Sequence, residues 1–146
     1  MSNLADSLTL RLARAEEHDA LEELQRRASL ELPEYRDQLI LHPDAIYLPE
    51  GQIANGQVIV AELDGMIVGF AAVVGGELDG LFVEPDLWGQ SIGRTLVAAA
   101  THEARKRGLA LSVVANPRAR RFYESCGFTF EAEEQTRFGP ALRMTK

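Results

Sequence analysis

Residues 88 to 95 read WGQSIGRT, with the strand-like LFVEP before them and the apolar helical run LVAAATHEA after them. Glycine placed where a strand turns into a helix lets the backbone approach a partner closely, and the free amides of a new helix favour an anion. The N–H groups of roughly residues 90 to 95 therefore suit a phosphate or pyrophosphate. Gly93-Arg94-Thr95 invites comparison with the Gly-Lys-Thr of a nucleotide-binding loop, but the spacing rejects it. Gly89 and Gly93 enclose three residues, Arg94 stands where the lysine would be, and no second strand follows with an Asp placed to hold a metal. Taken alone, the turn is equally a tight connection with no ligand.

A second block, VVANPRARRFYESCGF, places Ala119, Phe122, Tyr123 and Cys126 at i, i+3, i+4 and i+7, on one face of a helix. Asn116 precedes that helix, where its side chain suits a turn or cap. Glu77 and Asp79 lie in ELDG, and strand alternation places both on one face with Leu81 and Val83. Either carboxylate is a candidate general base, and the competing reading is a pair of solvated acids beside a hairpin. His18, His42 and His102 are far apart, without ligand spacing or a Cys partner, so no metal site is indicated and all three are expected on the surface. Cys126 is expected to be buried packing beside Phe128.

These groups need a scaffold. Leu8 to Ala15 alternates as a half-buried strand; Asp19 to about Leu30 is an amphipathic helix carrying Leu21, Leu24 and Ala28 on one face; Pro33 opens a shorter helix to about Leu41. From His42 to Gly56 two prolines and two glycines interrupt any period, which predicts a loop. QVIVAEL and MIVGFAAVV flank Asp64-Gly65, a two-residue hairpin signal, and ELDGLFV reads as the next strand, ended by Pro85. A helix over about Ser91 to Arg107, stopped by Gly108, links that strand to LALSVVA in a βαβ unit with parallel strands. Pro117 opens the helix that carries Tyr123 and Gly127 ends it. FTFEAEEQT and ALRMTK are closing strands, joined by a loop containing Gly139-Pro140.

With 146 residues, 46% of them apolar, the chain suits a single domain over residues 1–146. A net charge of -7 argues against a nucleic-acid surface and for small or cationic partners. One cysteine excludes an internal disulfide and fits a reducing cytosol. MSNLADSLTL has no leader-like pattern, and MIVGFAAVV is too short to span a bilayer, so the expectation is a soluble cytoplasmic protein without membrane contact.

Taken together, LFVEPDLWGQSIGRTL and VVANPRARRFYESCGF resemble the GNAT superfamily of acyl-CoA-dependent N-acyltransferases, closely over about residues 77 to 130. The resemblance implies an α/β fold with a mixed, twisted sheet of six or seven strands and helices on both faces. It also implies acetyl-CoA as the acyl donor, no metal, and an amine of a small molecule or peptide as the acceptor, attacked directly in a ternary complex. Members of the family are often homodimers.

In the family's turn pattern, a Gln or Arg, two residues, Gly, one residue, then Gly or Ala, the matching positions here are Trp88, Ser91 and Gly93, so two of the three depart. The resemblance assigns the pyrophosphate to Gly89, Gln90, Ser91, Ile92, Gly93, Arg94 and Thr95, and the pantetheine arm to Leu81, Phe82, Val83 and Asn116. The backbone N–H near Val83 would stabilise the oxyanion, Tyr123 would reach the departing sulfur, and Glu77 matches a position often acidic in relatives. Trp88 either covers the adenosine or packs on the surface. If Ser91 needs positive φ, the strain costs on the order of 1 kcal/mol. The alternative to an enzyme is a module that binds acyl-CoA and transfers nothing. Glu31, Glu34, Glu131, Glu133 and Glu134 suggest a cationic acceptor.

Overall fold

The computed structural model describes residues 7–146. The first six residues, part of the stretch read above as lacking a leader, lie outside the described residues. Seven strands form one sheet in the order β1-β2-β3-β4-β5-β7-β6. They are β1 (Thr9–Leu12), β2 (Val58–Leu63), β3 (Met66–Val74), β4 (Glu77–Val83), β5 (Ser112–Ala115), β6 (Thr129–Thr136) and β7 (Gly139–Thr145). Five helices accompany them: α1 (His18–Leu30), α2 (Pro33–Leu41), α3 (Glu50–Ala54), α4 (Ile92–Lys106) and α5 (Arg120–Ser125). The mixed, two-faced α/β fold implied by the resemblance is the one observed.

Each face of the sheet is covered because strand alternation gives it an apolar set. Val58, Val60 and Phe70 face α1 and α3 and pack with Leu21, Leu24 and Ile53. Ile59, Ala61, Ala71 and Met144 face the other way, against Leu96, Val97 and Ala100 of α4 and Tyr123 of α5. The hairpin at Asp64-Gly65 has φ of 53° and 79° at its two central residues, the geometry that suits the right-handed twist of paired strands.

Among the described strands only β4 and β5 run parallel, and they pair at just two positions, Glu77 with Ser112 and Leu78 with Val113. Beyond Leu78 the strands separate. β4 remains paired with β3 as far as Val83, whereas β5 turns its other edge to β7 through Ala115. The sheet therefore splits in the middle, at the end where α4 begins.

Several sequence expectations are corrected. The segment from His42 to Gly56 is not all loop, since it holds α3 and a 3-10 turn at Pro43–Ala45. A five-residue helix has no period to read and is held by the burial of Ile53. β1 and β5 are shorter than their alternating or apolar runs suggested. Gly139 and Pro140 belong to β7, and the turn is Arg137-Phe138. Pro140 is tolerated because β5 pairs with β7 only from Leu142 onward, so its missing N–H is not needed there. His18 is half-buried rather than on the surface, with Nε2 2.7 Å from the Leu48 carbonyl oxygen. Cys126 is half-buried at the end of α5.

A bulge in β4 matters most. Ala72 faces Gly80 and Val73 faces Leu78, so Asp79 is the extra residue and alternation breaks there. Leu78 joins Val83 in the core under α4, while Asp79 accepts a hydrogen bond from Gln52 of α3 on the opposite face. Glu77 and Asp79 therefore do not share a face with Leu81 and Val83.

Candidate active site

The split between β4 and β5 opens into a cavity of about 500 Å³. Its walls are Leu81, Phe82 and Val83 of β4, the turn residues Trp88, Gly89 and Ser91, Ile92, Gly93 and Arg94 of α4, Phe122 of α5, and Ala28, Ser29 and Leu32 where α1 passes into α2. Two sequence blocks 30 residues apart meet here because the βαβ connection returns the chain beside the strand it left.

The direction of the main-chain groups follows from the ladder. Glu84 N–H donates to the Val68 carbonyl at 2.9 Å, so those two residues form a hydrogen-bonded pair of the β3–β4 ladder. The alternation then makes Gly69/Val83 and Ala71/Leu81 non-hydrogen-bonded pairs, whose N–H and C=O groups point away from β3. For Leu81 and Val83 that direction is the split. The Val83 carbonyl is already engaged, accepting the indole N–H of Trp88 at 2.8 Å.

At the turn, Ser91 caps α4 in the left-handed region, with φ 71°. The positive φ anticipated for that position is real, and a non-glycine residue there carries strain of about 1 kcal/mol. The first intrahelical bond runs from Thr95 N–H to the Ser91 carbonyl, which leaves the amides of Ile92, Gly93 and Arg94 without helical partners. Gly93 is where α4 approaches its neighbours: a Cβ would stand 3.3 Å from Phe122 Cζ and 3.8 Å from Val83 Cγ2. The Arg94 guanidinium donates to the Ser125 carbonyl at 3.0 Å and to its hydroxyl at 2.9 Å, tying α4 to α5. The Thr95 hydroxyl donates back to the Ser91 carbonyl at 2.8 Å. Gln90 is exposed at the turn and does not line the cavity.

Tyr123 lies behind this wall. It is 7% exposed and packed between Phe122 and Phe128, with ring centroids 5.0 and 5.3 Å away. Burial, with a smaller contribution from nearby Cys126, pushes its phenol well above the ordinary tyrosine value. The side chain that reaches the cavity from α5 is Phe122, the preceding residue. Asn116 also stands off: its Oδ1 accepts from Arg118 N–H at 3.0 Å and its amide donates to Glu34 at 3.2 Å. Arg118 reaches the same carboxylate at 3.1 Å, so Glu34 links α2 to the end of β5. Its own backbone hydrogen bond and then the Asn116 amide hold the Glu34 carboxyl below its ordinary value.

On the opposite face from α4, Arg143 of β7 bridges Glu77 at 3.4 Å and Glu134 of β6. Sequence reasoning placed Phe122 and Ala28 on the apolar faces of their helices without giving them a part in the site, and it missed Arg143, Ser29 and Leu32, which carry no local signal. It also missed the bond from Trp88 to Val83, although both residues flank the turn. Among the described residues, no group of three or more His, Cys, Asp or Glu side chains is arranged to hold a metal ion, and no helix is long and apolar enough to cross a membrane.

Residues 54–130 match the family model described as an acetyltransferase (GNAT) domain. Among solved structures, the chain is similar to a GCN5-related N-acetyltransferase from Rhodopseudomonas palustris, at 27% identity and a TM-score of 0.79, covering 100% of this chain and 96% of the other. The apo form of YjaB from Escherichia coli is 25% identical, with a TM-score of 0.71 over 94% of this chain and 96% of that one. The PaiA N-acetyltransferase from Thermoplasma acidophilum, in complex with coenzyme A, shares the fold at 22% identity and a TM-score of 0.76, over 96% and 98% of the two chains. No curated protein matches the sequence significantly.

Proposed function

The chain belongs to the GNAT acetyltransferase family, and on that premise we propose that it transfers an acetyl group from acetyl-CoA to a primary amine, as a single domain over residues 1–146. One observation carries the reading: the gap between β4 and β5 and the free amides at the start of α4 open into the same cavity. That combination fits a ligand with an amide-bearing arm at one end and phosphate at the other, which is the chemistry of coenzyme A. The complex of the PaiA N-acetyltransferase with coenzyme A supports the fit.

Acetyl-CoA, when bound, supplies an activated thioester. The amides of Ile92, Gly93 and Arg94, with those of Gly89, Gln90 and Ser91 in the turn, hold the pyrophosphate, and Thr95 and Arg94 brace the turn that presents them. Leu81 offers N–H and C=O groups to the pantetheine arm and Phe82 adds its side chain to the wall, while Asn116, just beyond β5, contacts the arm only if its amide leaves Glu34. The N–H groups of β4 directed at the split, Val83 among them, are fixed donors for the arm and for the negative charge that develops at the carbonyl oxygen, with Val83 nearest the pyrophosphate turn. Tyr123 serves the leaving group. Its raised pKa keeps the hydroxyl protonated, so it acts as a donor to the departing sulfur. To reach the sulfur from behind Phe122 it depends on a small movement of that ring. Glu77 is the candidate base, acting through water on the ammonium of the acceptor, which enters from the face that carries Arg143.

Glu77 and Glu134 on that face share Arg143, and Asp79, which accepts from the neutral Gln52 amide, is the acid there that favours a cationic small molecule or peptide as acceptor. A cytoplasmic location, where coenzyme A thioesters are available, fits the reading. The positions of Tyr123 and Asn116 away from the cavity favour a second reading, a module that binds acyl-CoA without turnover. Isothermal titration with acetyl-CoA and free coenzyme A on cofactor-free protein, followed by an amine screen for thiol release, separates the readings. Micromolar binding with turnover is the expected result, binding without turnover on any amine selects the module, and no binding to either ligand overturns the donor site.

A further inference from the structure

Trp88 occupies the position where the family's turn pattern has a cationic or amide side chain, and the structure gives it different work. Its indole N–H ends on the Val83 carbonyl at 2.8 Å, inside the strand, rather than at the turn where an anion would sit. The Val83–Glu84 peptide is thereby held at both ends, by Trp88 on its oxygen and by the Val68 carbonyl on its N–H. The ring stands in the wall of the cavity with Val83, Leu87 and Gly89 and is 46% exposed, so one side of it is open to an incoming ligand.

We propose that Trp88 is a positioning residue for the pantetheine arm of the donor, and not a cover for its nucleotide. This rests on the donor-site reading above. Val83 carries two main-chain groups directed at the split, and a bare carbonyl there would compete with Leu81 for the amide hydrogens of the arm. With that carbonyl already paired to the indole, the arm has one acceptor register, at Leu81, and the remaining polar group of Val83 is its N–H. Removing the indole N–H leaves a carbonyl in a largely apolar cavity that must recruit water, and that water must be displaced when the arm enters.

The test separates the two halves of the ligand. Dissociation constants are measured calorimetrically for free coenzyme A, 4′-phosphopantetheine and adenosine 3′,5′-bisphosphate with the wild-type protein and with Trp88→Phe, which keeps an apolar ring and loses the N–H. Coenzyme A and phosphopantetheine are expected to weaken by the same factor, about tenfold, with the bisphosphate unchanged. Trp88 is the only tryptophan, so its emission gives a second readout that needs no variant: phosphopantetheine shifts it to the blue and the bisphosphate leaves it in place. Weakening confined to the bisphosphate, or an emission shift with the bisphosphate alone, assigns the ring to the nucleotide and overturns the proposal. Unchanged constants for all three ligands reduce Trp88 to surface packing and overturn it as well. Wild-type protein that binds none of the three overturns the donor site itself, a result recognisable because it does not depend on the substitution.

Discussion

At the scale of single residues, burial decides what a group can do. Tyr123 sits between two aromatic rings, and taking its phenol out of water raises the cost of ionising it. Its hydroxyl therefore remains protonated through neutral and mildly alkaline pH, the state that the proposed role towards the departing sulfur requires. Tyr123→Phe is expected to lower turnover on the order of 100-fold while leaving affinity for free coenzyme A unchanged. Steady-state kinetics with a good amine, read against calorimetry, measures both, and unaltered turnover would remove Tyr123 from the reaction. Gly93 is constrained by approach rather than by its backbone angle. Gly93→Ala presses a methyl group towards Phe122, 3.3 Å from the Cβ position, and tests packing alone. Gly93→Asp adds a carboxylate beside the pyrophosphate site. It should weaken coenzyme A by at least about tenfold more than the alanine variant does, through loss of anion stabilisation at the helix N-terminus. Equal affinities for the two variants would move the phosphate elsewhere.

At the scale of elements, the N-terminal strand is held to its neighbours by charge as well as by its ladder. Arg11 of β1 donates to both Glu17 oxygens, at 2.8 and 2.7 Å, and to Glu62 of β2 at 2.6 Å. The hydrogen bond from Arg11, opposed by burial and aided by the Arg14 backbone, brings the Glu17 carboxyl down from 4.5 to about 2. A depressed carboxylate adds stability that is complete above its unfolded value and is lost as pH falls from about 4.5 towards 2. Glu17→Gln should lower the unfolding free energy at pH 7 and flatten its decline over that acid window. Denaturant melts at pH 7, 4 and 2.5 would show it, and parallel wild-type and variant profiles would contradict it. The β4–β5 split is the other decision made at this scale. It exists because the parallel pair is only two residues long, and because β7 claims the other edge of β5.

For the whole molecule, the donor site joins α1, β4, α4 and α5 around one cavity, so a ligand bound there ties together elements from both faces of the sheet. Such a ligand stabilises the folded state by mass action. At 100 times its dissociation constant, coenzyme A should add about 2.7 kcal/mol and raise the melting midpoint by roughly 5–10 °C for a chain of this size. Mg-ATP should leave the midpoint in place, since the turn lacks the spacing and metal ligands of a nucleotide-binding loop. A midpoint raised by Mg-ATP and not by coenzyme A would reverse the assignment of the anion site.

The sequence by itself determined the elements whose signals are local: the Asp64-Gly65 hairpin, the amphipathic faces of α1 and α4, the proline start of α2, and the strand–turn–helix around Gly89 and Gly93. Pro117, read as the start of the helix that carries Tyr123, opens a 3-10 turn over Pro117–Ala119 and α5 begins only at Arg120. The family followed from motif spacing, because spacing survives where individual residues such as Trp88 and Ser91 depart. Tertiary structure alone decided the rest. One extra residue at Asp79 reversed the faces on which Glu77 and Asp79 lie relative to Leu81, since a strand's alternation depends on the register of its partner. Phe122 rather than Tyr123 lines the cavity, Glu34 holds Asn116, and Trp88 closes on Val83, because each of these contacts depends on how separate elements pack, and packing leaves no periodic trace in the chain.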